Sequence, residues 1–262
     1  MADASSIRTV LAAVREAGVR ALLMGGQACI LYGAAEFSHD TDIAVVADAE
    51  NLARLVGALR ALRASVTAVP PFTADVLARG HAVHFRCAAA DDTRLHVMAR
   101  MRNVAPVAEC WERRTTSRLA GVGEIEVLGL ADLVACKKTR RNKDWPMVQR
   151  LVDVHLADFA GAPTEERLRF WLRELRTPTL LSDAVALAPA LAAQVAAERP
   201  AVAAALTGAD DPEASAVAIG AALADEEARE RAADEVYWRP LLAEQAEMRA
   251  AFRRGELSLG WP

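Results

Sequence analysis

Three groups of residues carry types and spacings that suit phosphate and metal chemistry. The first is Asp40-Thr41-Asp42, at the head of the β-branched run Thr41 to Val46. Side chains two apart on a strand share a face. Two carboxylates held on one face repel each other unless a cation sits between them. Such hard oxygen donors favour Mg2+ or Mn2+. A strand-initiating turn with solvated acids accounts for the same residues without chemistry. The second group is Gly25-Gly26, where the apolar run Val19 to Met24 ends abruptly. Glycines there let the backbone approach a ligand closely, and a helix starting after them offers free N–H groups to an anion. A purely structural tight turn is the alternative. The third is Lys137, Lys138, Arg140, Arg141 and Lys143, followed by Asp144. On one continuous helix, Lys137, Arg141 and Asp144 share a face, and the cations could neutralise a triphosphate. The alternative is a solvated helix end complementing the dipole, with Asp144 serving only as a cap.

The elements that must position these groups are visible in the hydrophobic pattern. Ile7 to Ala17 has helical spacing and stops at Gly18; Val19 to Met24 reads as a buried strand, and Gln27 to Tyr32 as a short helix. Thr41 to Val46 is a second strand, and Glu50 to Arg63 an amphipathic helix with Leu52, Leu55, Val56, Leu59 and Leu62 on one face. A third strand is expected over Val66 to Val69 and a helical piece over Ala74 to Ala78. His81 to Cys87 and Arg94 to Met98 are expected to be antiparallel strands joined by the turn Ala88 to Thr93. Gly123 to Leu128 reads as a strand, Leu130 to Arg140 as a helix, and a new helix is expected from Asp144, with Pro146 in its first turn. Beyond about Ala160 the composition turns to Ala, Leu, Glu and Arg with helical periodicity, and Glu226 to Arg254 reads as helix broken at Pro240. The pattern divides the chain into an α/β domain over residues 1–128 and a helical region over 129–262.

Composition bounds the function. The chain has 262 residues, 25% charged and 53% hydrophobic with only 5% aromatic, which is enough for a sizeable core and excludes wholesale disorder. A net charge of −4 argues against a generic nucleic-acid coat protein. Cys29, Cys87, Cys110 and Cys136 have no metal-knuckle spacing and read as free thiols. No apolar run reaches the roughly 18 residues of a membrane span, and MADASSIRTV has no apolar signal core. The expectation is a cytoplasmic protein with no membrane partner.

Taken together, Leu23-Met24-Gly25-Gly26-Gln27-Ala28 and Phe37-Ser38-His39-Asp40-Thr41-Asp42-Ile43-Ala44-Val45 resemble the nucleotidyltransferase superfamily that includes DNA polymerase β. The stretch Lys137 to Asp144 looks like the downstream lysine and acid of its abortive-infection, toxin-type branch. The resemblance spans residues 7 to 158. It implies an α/β (α+β) mixed sheet with flanking helices, followed by an all-helical C-terminal region. Gly25 and Gly26 would bind the β- and γ-phosphates of a nucleoside triphosphate, and Asp40 and Asp42 would hold Mg2+ or Mn2+. Lys137, with Arg141, would steady the phosphates, Asp144 would sit near them, and residues 129–158 would complete the nucleotide site. The implied reaction moves a nucleotidyl group to a hydroxyl acceptor (RNA, protein or a small molecule) and releases pyrophosphate.

One position departs from that pattern. The family places a third carboxylate on a later strand, and in Arg94-Leu95-His96-Val97-Met98 the matching residue is His96. Imidazole is a poor ligand for Mg2+. Asp92 is in phase with His96 but, at about 3.3 Å per residue, roughly 13 Å away. His96 would therefore serve as a general base, or the site would use one metal or Mn2+, or the protein would bind nucleotide without catalysis. A toxin–antitoxin-type interaction protein on the same fold is a further alternative. His81 and His84, three apart on one expected strand, would face opposite sides; His39 flanks the acid pair. Arg113 to Arg118 reads as a solvated basic loop that could steer RNA. The aromatics are too few and scattered along the sequence for a base-stacking platform.

Overall fold

The described residues form seven strands: β1 (Ala21–Met24), β2 (Thr41–Val45), β3 (Ala64–Val66), β4 (Val83–Cys87), β5 (Thr93–Met98), β6 (Thr115–Leu119) and β7 (Gly123–Val127). The amphipathic stretches form α1 (Ala4–Glu16), α2 (Gly25–Leu31), α3 (Ala49–Ala61), α4 (Ala74–Arg79), α5 (Val107–Glu112), α6 (Leu130–Lys137) and α7 (Trp145–Phe159). The helical remainder is α8 (Glu165–Glu174), α9 (Pro178–Leu187), α10 (Pro189–Ala196), α11 (Pro200–Thr207) and α12 (Pro212–Arg253). This computed structural model describes residues 4–208 and 211–259. The class is mixed α/β with a helical C-terminal part.

The chain divides into two compact units. One comprises the chain through Leu31, Ala35–Cys136 and the chain from Val236; the other comprises Tyr32–Ala34 and Lys137–Glu235. The division at residue 128 read from composition therefore differs from the packing, which keeps most of α6 and the end of α12 with the sheet.

The first unit holds one sheet in the order β3-β4-β5-β2-β1-β7-β6. β2 runs parallel to β5 and antiparallel to β1, and β4 is antiparallel to β5. Period-2 alternation sorts the side chains. Thr41, Leu95 and Phe85 form one row across β2, β5 and β4, and Ile43, Val97 and Val83 form the next; all six are buried. The intervening row is Met24, Asp42, His96 and His84, on the other face. Asn51, buried in α3, accepts the Arg20 N–H and donates to the Arg20 and Val46 carbonyls, tying the entry of β1 to the exit of β2. Asp48 caps α3 through the Asn51 N–H at 2.8 Å.

Four local expectations are corrected. The strand expected over Val66 to Val69 lies earlier, at Ala64–Val66, and shares only Val66 with it. The Arg113–Arg118 stretch is not a solvated loop: residues 115–119 form the edge strand β6, zipped antiparallel to β7. Its β-branched threonines suit a half-exposed pleat, and polarity alone concealed it. The helix expected to reach Arg140 stops at Lys137. α12 does not break at Pro240. A proline inside a helix frees the carbonyl four residues back; here that residue is Val236, 63% exposed, where water can satisfy it.

In the second unit Trp171 is fully buried and donates its indole N–H to His155 Nδ1 at 2.9 Å. Arg199, also buried, donates to the Leu172 and Leu175 carbonyls at 2.7 and 2.6 Å and pairs with Glu226. The apolar helices α9 and α10 meet at a 119° bend, and no single helix among the described residues is long and apolar enough to cross a membrane.

Candidate functional site

The site is best built from the strand row Asp42–His96–His84. Residues directly opposite on neighbouring strands have Cβ atoms about 4.5–5.5 Å apart, so their side chains meet. Asp42 Oδ1 lies 2.8 Å from His96 Nδ1. An ionised carboxylate can only accept, so His96 donates to it from Nδ1. The result is a carboxylate–imidazole pair. The His84 ring stands edge-on to the His96 ring at 4.4 Å. Burial, with the neighbouring His96 adding to it, holds the His84 imidazole below its usual pKa.

Asp40 precedes β2 by one residue and has its own cation. Arg94 Nε lies 2.7 Å from Asp40 Oδ1. The approach is an ion pair by distance only: that oxygen is buried and receives no hydrogen bond, since the N–H is not aimed at it. The protein thus answers the repulsion inherent in Asp40-Thr41-Asp42 with Arg94 on one acid and His96 on the other.

The two glycines are needed by these neighbours. Gly25 opens α2 with φ +66°, a conformation that disfavours any side chain. A Cβ there would lie 2.7 Å from Asp42 Cγ and 2.9 Å from Asp42 Cβ, and closer still to Oδ2. A Cβ on Gly26 would lie 2.8 Å from Ser38 Cβ and closer still to its Oγ. Gln27 holds the same serine from the other end, donating Nε2–H to the Ser38 carbonyl at 3.0 Å. Gly25 and Gly26 therefore give the Asp42 carboxylate and the Ser38 loop room to press against the start of α2.

The donor set around the acid pair fits a hard divalent cation in its oxygens. Asp40 Oδ1 is a buried acceptor without a hydrogen bond, and Asp42 Oδ2 is not used by His96. Arg94 competes for the first of these oxygens. Among the described residues no group of three or more His, Cys, Asp or Glu side chains could hold a metal ion, so Asp40 and Asp42 would need solvent or substrate oxygens to complete a shell.

Lys137, Arg141 and Asp144 come together within the second unit, though not on one helical face. α6 ends at Lys137, a loop follows, and Asn142–Asp144 form a 3-10 turn before α7. Asp144 sits at the cap position of α7 yet makes no capping hydrogen bond. Its carboxylate turns back instead, accepting from Thr139 Oγ1 at 2.6 Å and Arg141 Nε at 2.7 Å, with Lys137 Nζ at 3.5 Å. Burial alone would raise its pKa; the Thr139 hydroxyl and the two cations outweigh that and hold it below the usual carboxylate value. The Asp144 side chain is 4% exposed and that of Lys137 12%. Lys138 pairs with Glu174 at 2.6 Å. Much of the basic run is thus neutralised within its own unit.

Sequence reasoning passed over two residues of the first unit's constellation. Arg94 is in phase with His96 and shares its face, a signal that was present in Arg94-Leu95-His96. His84 was set aside because it was paired with His81; centring the hairpin turn on Ala90 places it opposite His96. His81 lies before β4, fully buried, 2.8 Å from Glu244. All four cysteines are free thiols, and burial pushes Cys87 up to about 12 and Cys110 to about 11, so neither is a nucleophile. No protein-family model matches the chain, and no curated protein is significantly similar to it.

Proposed function

We propose that the protein is a metal-dependent nucleotidyltransferase whose site lies on the open face of β2 and β5, at the start of α2. The observation that carries this reading is the convergence of Gly25, Asp42 and His96, with Asp40 two residues before Asp42, just ahead of β2. It joins the glycine turn and the acid pair of the sequence motif in one place. The helix start at Gly25 and Gly26 would take the β- and γ-phosphates of a nucleoside triphosphate. Asp40 and Asp42 would hold Mg2+ or Mn2+, which when bound neutralises phosphate charge. His96 would act as general base: Asp42 fixes its Nδ1–H, and Nε2 accepts the proton of an acceptor hydroxyl. The acceptor oxygen then bonds to the α-phosphorus, the α–β bridging P–O bond breaks, and pyrophosphate leaves. Lys137, Arg141 and Asp144 enter as a phosphate-steadying group on the strength of the motif resemblance. The fold would be that of the nucleotidyltransferases, and the setting cytoplasmic.

A transfer assay tests this. With α-labelled nucleoside triphosphate, Mg2+ or Mn2+, and RNA or protein as acceptor, label moves to the acceptor as pyrophosphate appears. Asp40→Asn and Asp42→Asn each abolish transfer; full activity in both overturns the metal assignment. His96→Asp separates the roles: loss of transfer with nucleotide binding kept supports the base, and a rise in transfer removes it.

A second reading has its own observations, the imidazole at the third acidic position and the Arg94 guanidinium already placed on Asp40. It makes the protein a nucleotide binder without turnover, and predicts metal-dependent binding with no pyrophosphate release in the same assay.

A further inference from the structure

Two rings meet beside the Gly26–Ser38 contact. Phe37 and His39 flank Ser38, and their rings stand edge to face with centroids 4.1 Å apart. Ser38 between them is pinned twice. Its side chain packs on Gly26, where no side chain could be added without displacing it, and its carbonyl accepts from Gln27. The loop is therefore anchored to the first turn of α2, and the two rings are anchored with it. Ser38 Cα lies 3.9 Å from the Cβ position of Gly26. With consecutive Cα atoms about 3.8 Å apart, the Phe37 Cα falls within roughly 9 Å of the Gly26 Cα. Phe37 is nevertheless 59% exposed. Among the described large hydrophobic side chains, only two exposed on α12 are more open to solvent, Val217 and Val236.

A benzyl group left in water loses the benefit of burying it. Ordinary packing gains nothing by holding it there on a doubly pinned loop. The ring is flat, and its Cα is within a nucleoside's reach of the helix start proposed for the phosphates. We infer that Phe37, braced edge-on by His39, is the stacking surface for the nucleobase of the nucleoside triphosphate bound at this site. The inference rests on the functional reading above. Stacking is tolerant of base identity because every base offers a π face, so the surface accepts all four bases and favours the larger purines.

The test uses calorimetric titration of the whole chain with ATP and, separately, with inorganic tripolyphosphate, each with Mg2+. Phe37→Ala is expected to weaken ATP about tenfold or more and leave tripolyphosphate within twofold. Phe37→Trp restores ATP binding. The inference is overturned if wild type binds ATP and Phe37→Ala leaves that affinity unchanged. It is equally overturned if ATP and tripolyphosphate weaken together, since Phe37 would then act by holding the loop. Wild type that binds neither ligand removes the functional reading itself, and the base surface with it. Phe37 is exposed, and an unchanged melting temperature of Phe37→Ala checks that the loss does not come from misfolding.

Discussion

The close approach of Asp42 to Gly25 has a measurable energy, and Gly18 supplies the control for it. Both glycines have φ +66°, but a Cβ on Gly18 would meet nothing within 4 Å, whereas on Gly25 it would strike the Asp42 side chain. Gly18→Ala therefore carries the backbone cost alone. That cost is about 1–2 kcal/mol for an L-residue in the left-handed region, less about 0.4–1 kcal/mol gained by restricting the unfolded chain. Gly25→Ala carries the same cost plus overpacking, about 1–3 kcal/mol. The contact is not cheaply relieved, because Asp42 Cγ and Cβ, and not only the carboxylate tip, lie within 2.9 Å of the added atom. The net loss at Gly25 is then about 1–4.5 kcal/mol, against about 1.5 kcal/mol or less at Gly18. At about 2–4 °C per kcal/mol for a unit of this size, Gly25→Ala lowers Tm by roughly 2–18 °C. Urea and thermal unfolding of Gly18→Ala, Gly25→Ala, Asp42→Ala and the Gly25→Ala/Asp42→Ala double variant measure it. Truncating Asp42 removes the two nearest atoms, so the double variant should be more stable than the sum of the singles by about 1 kcal/mol or more. Equal losses at Gly18 and Gly25, or strict additivity in the cycle, would refute the packing argument and with it the convergence of glycine and acid.

Three further outcomes follow. Asp144→Asn leaves Lys137 without its buried partner and costs about 2–3 kcal/mol, below the roughly 3–5 kcal/mol of a fully buried pair because the Arg141 side chain is 58% exposed. Asp144 has a lowered folded pKa, so its stabilisation is complete above the unfolded value near 4 and disappears as pH falls through the folded one; urea midpoints of Asp144→Asn should lack that acid limb. His84 is the opposite case: its folded pKa is lowered, so the unfolded chain binds the proton first and stability falls as pH drops below about 6.5. His84→Gln should flatten the Tm profile there, and an unchanged slope assigns the titration elsewhere. Arg94→Gln removes the cation 2.7 Å from Asp40 and should tighten Mn2+ binding about tenfold or more, since unit charges at that distance interact by about 1.5 kcal/mol even at the dielectric constant of water; unchanged affinity means that Arg94 does not compete.

How much of this was legible in the sequence depends on the range of the interactions involved. Gly25-Gly26, Asp40 and Asp42 stood out because their spacing is local, and the strands carrying them show in runs such as Ala21 to Met24 and Ile43 to Val45. The partners of those acids were not legible as partners, because they depend on strand order and register. Asp42 meets His96 only because β2 lies parallel beside β5 with no offset in that row, and His84 joins through a hairpin whose centre the alanine run Ala88 to Ala90 leaves open. At Lys137 tertiary contacts overrode propensity. The Trp145 indole donates to the Thr139 carbonyl at 2.7 Å and Asp144 accepts from the Thr139 hydroxyl, so the chain leaves the helix at Lys137, three residues before the expected end at Arg140. Phe37 and His39 are neighbours in the sequence, but their place beside the start of α2 depends on the Gly26–Ser38 contact, which is tertiary.

The central claim is that Asp40 and Asp42, beside Gly25, make a metal-dependent nucleotide site. Calorimetric titration with each of the four ribonucleoside triphosphates, with and without Mg2+ or Mn2+, tests it most directly when run on wild type and on the Asp40→Asn/Asp42→Asn double variant. The account predicts binding that requires the metal and disappears in the double variant. Binding that survives the double substitution, or no binding with any nucleotide and either metal, contradicts it.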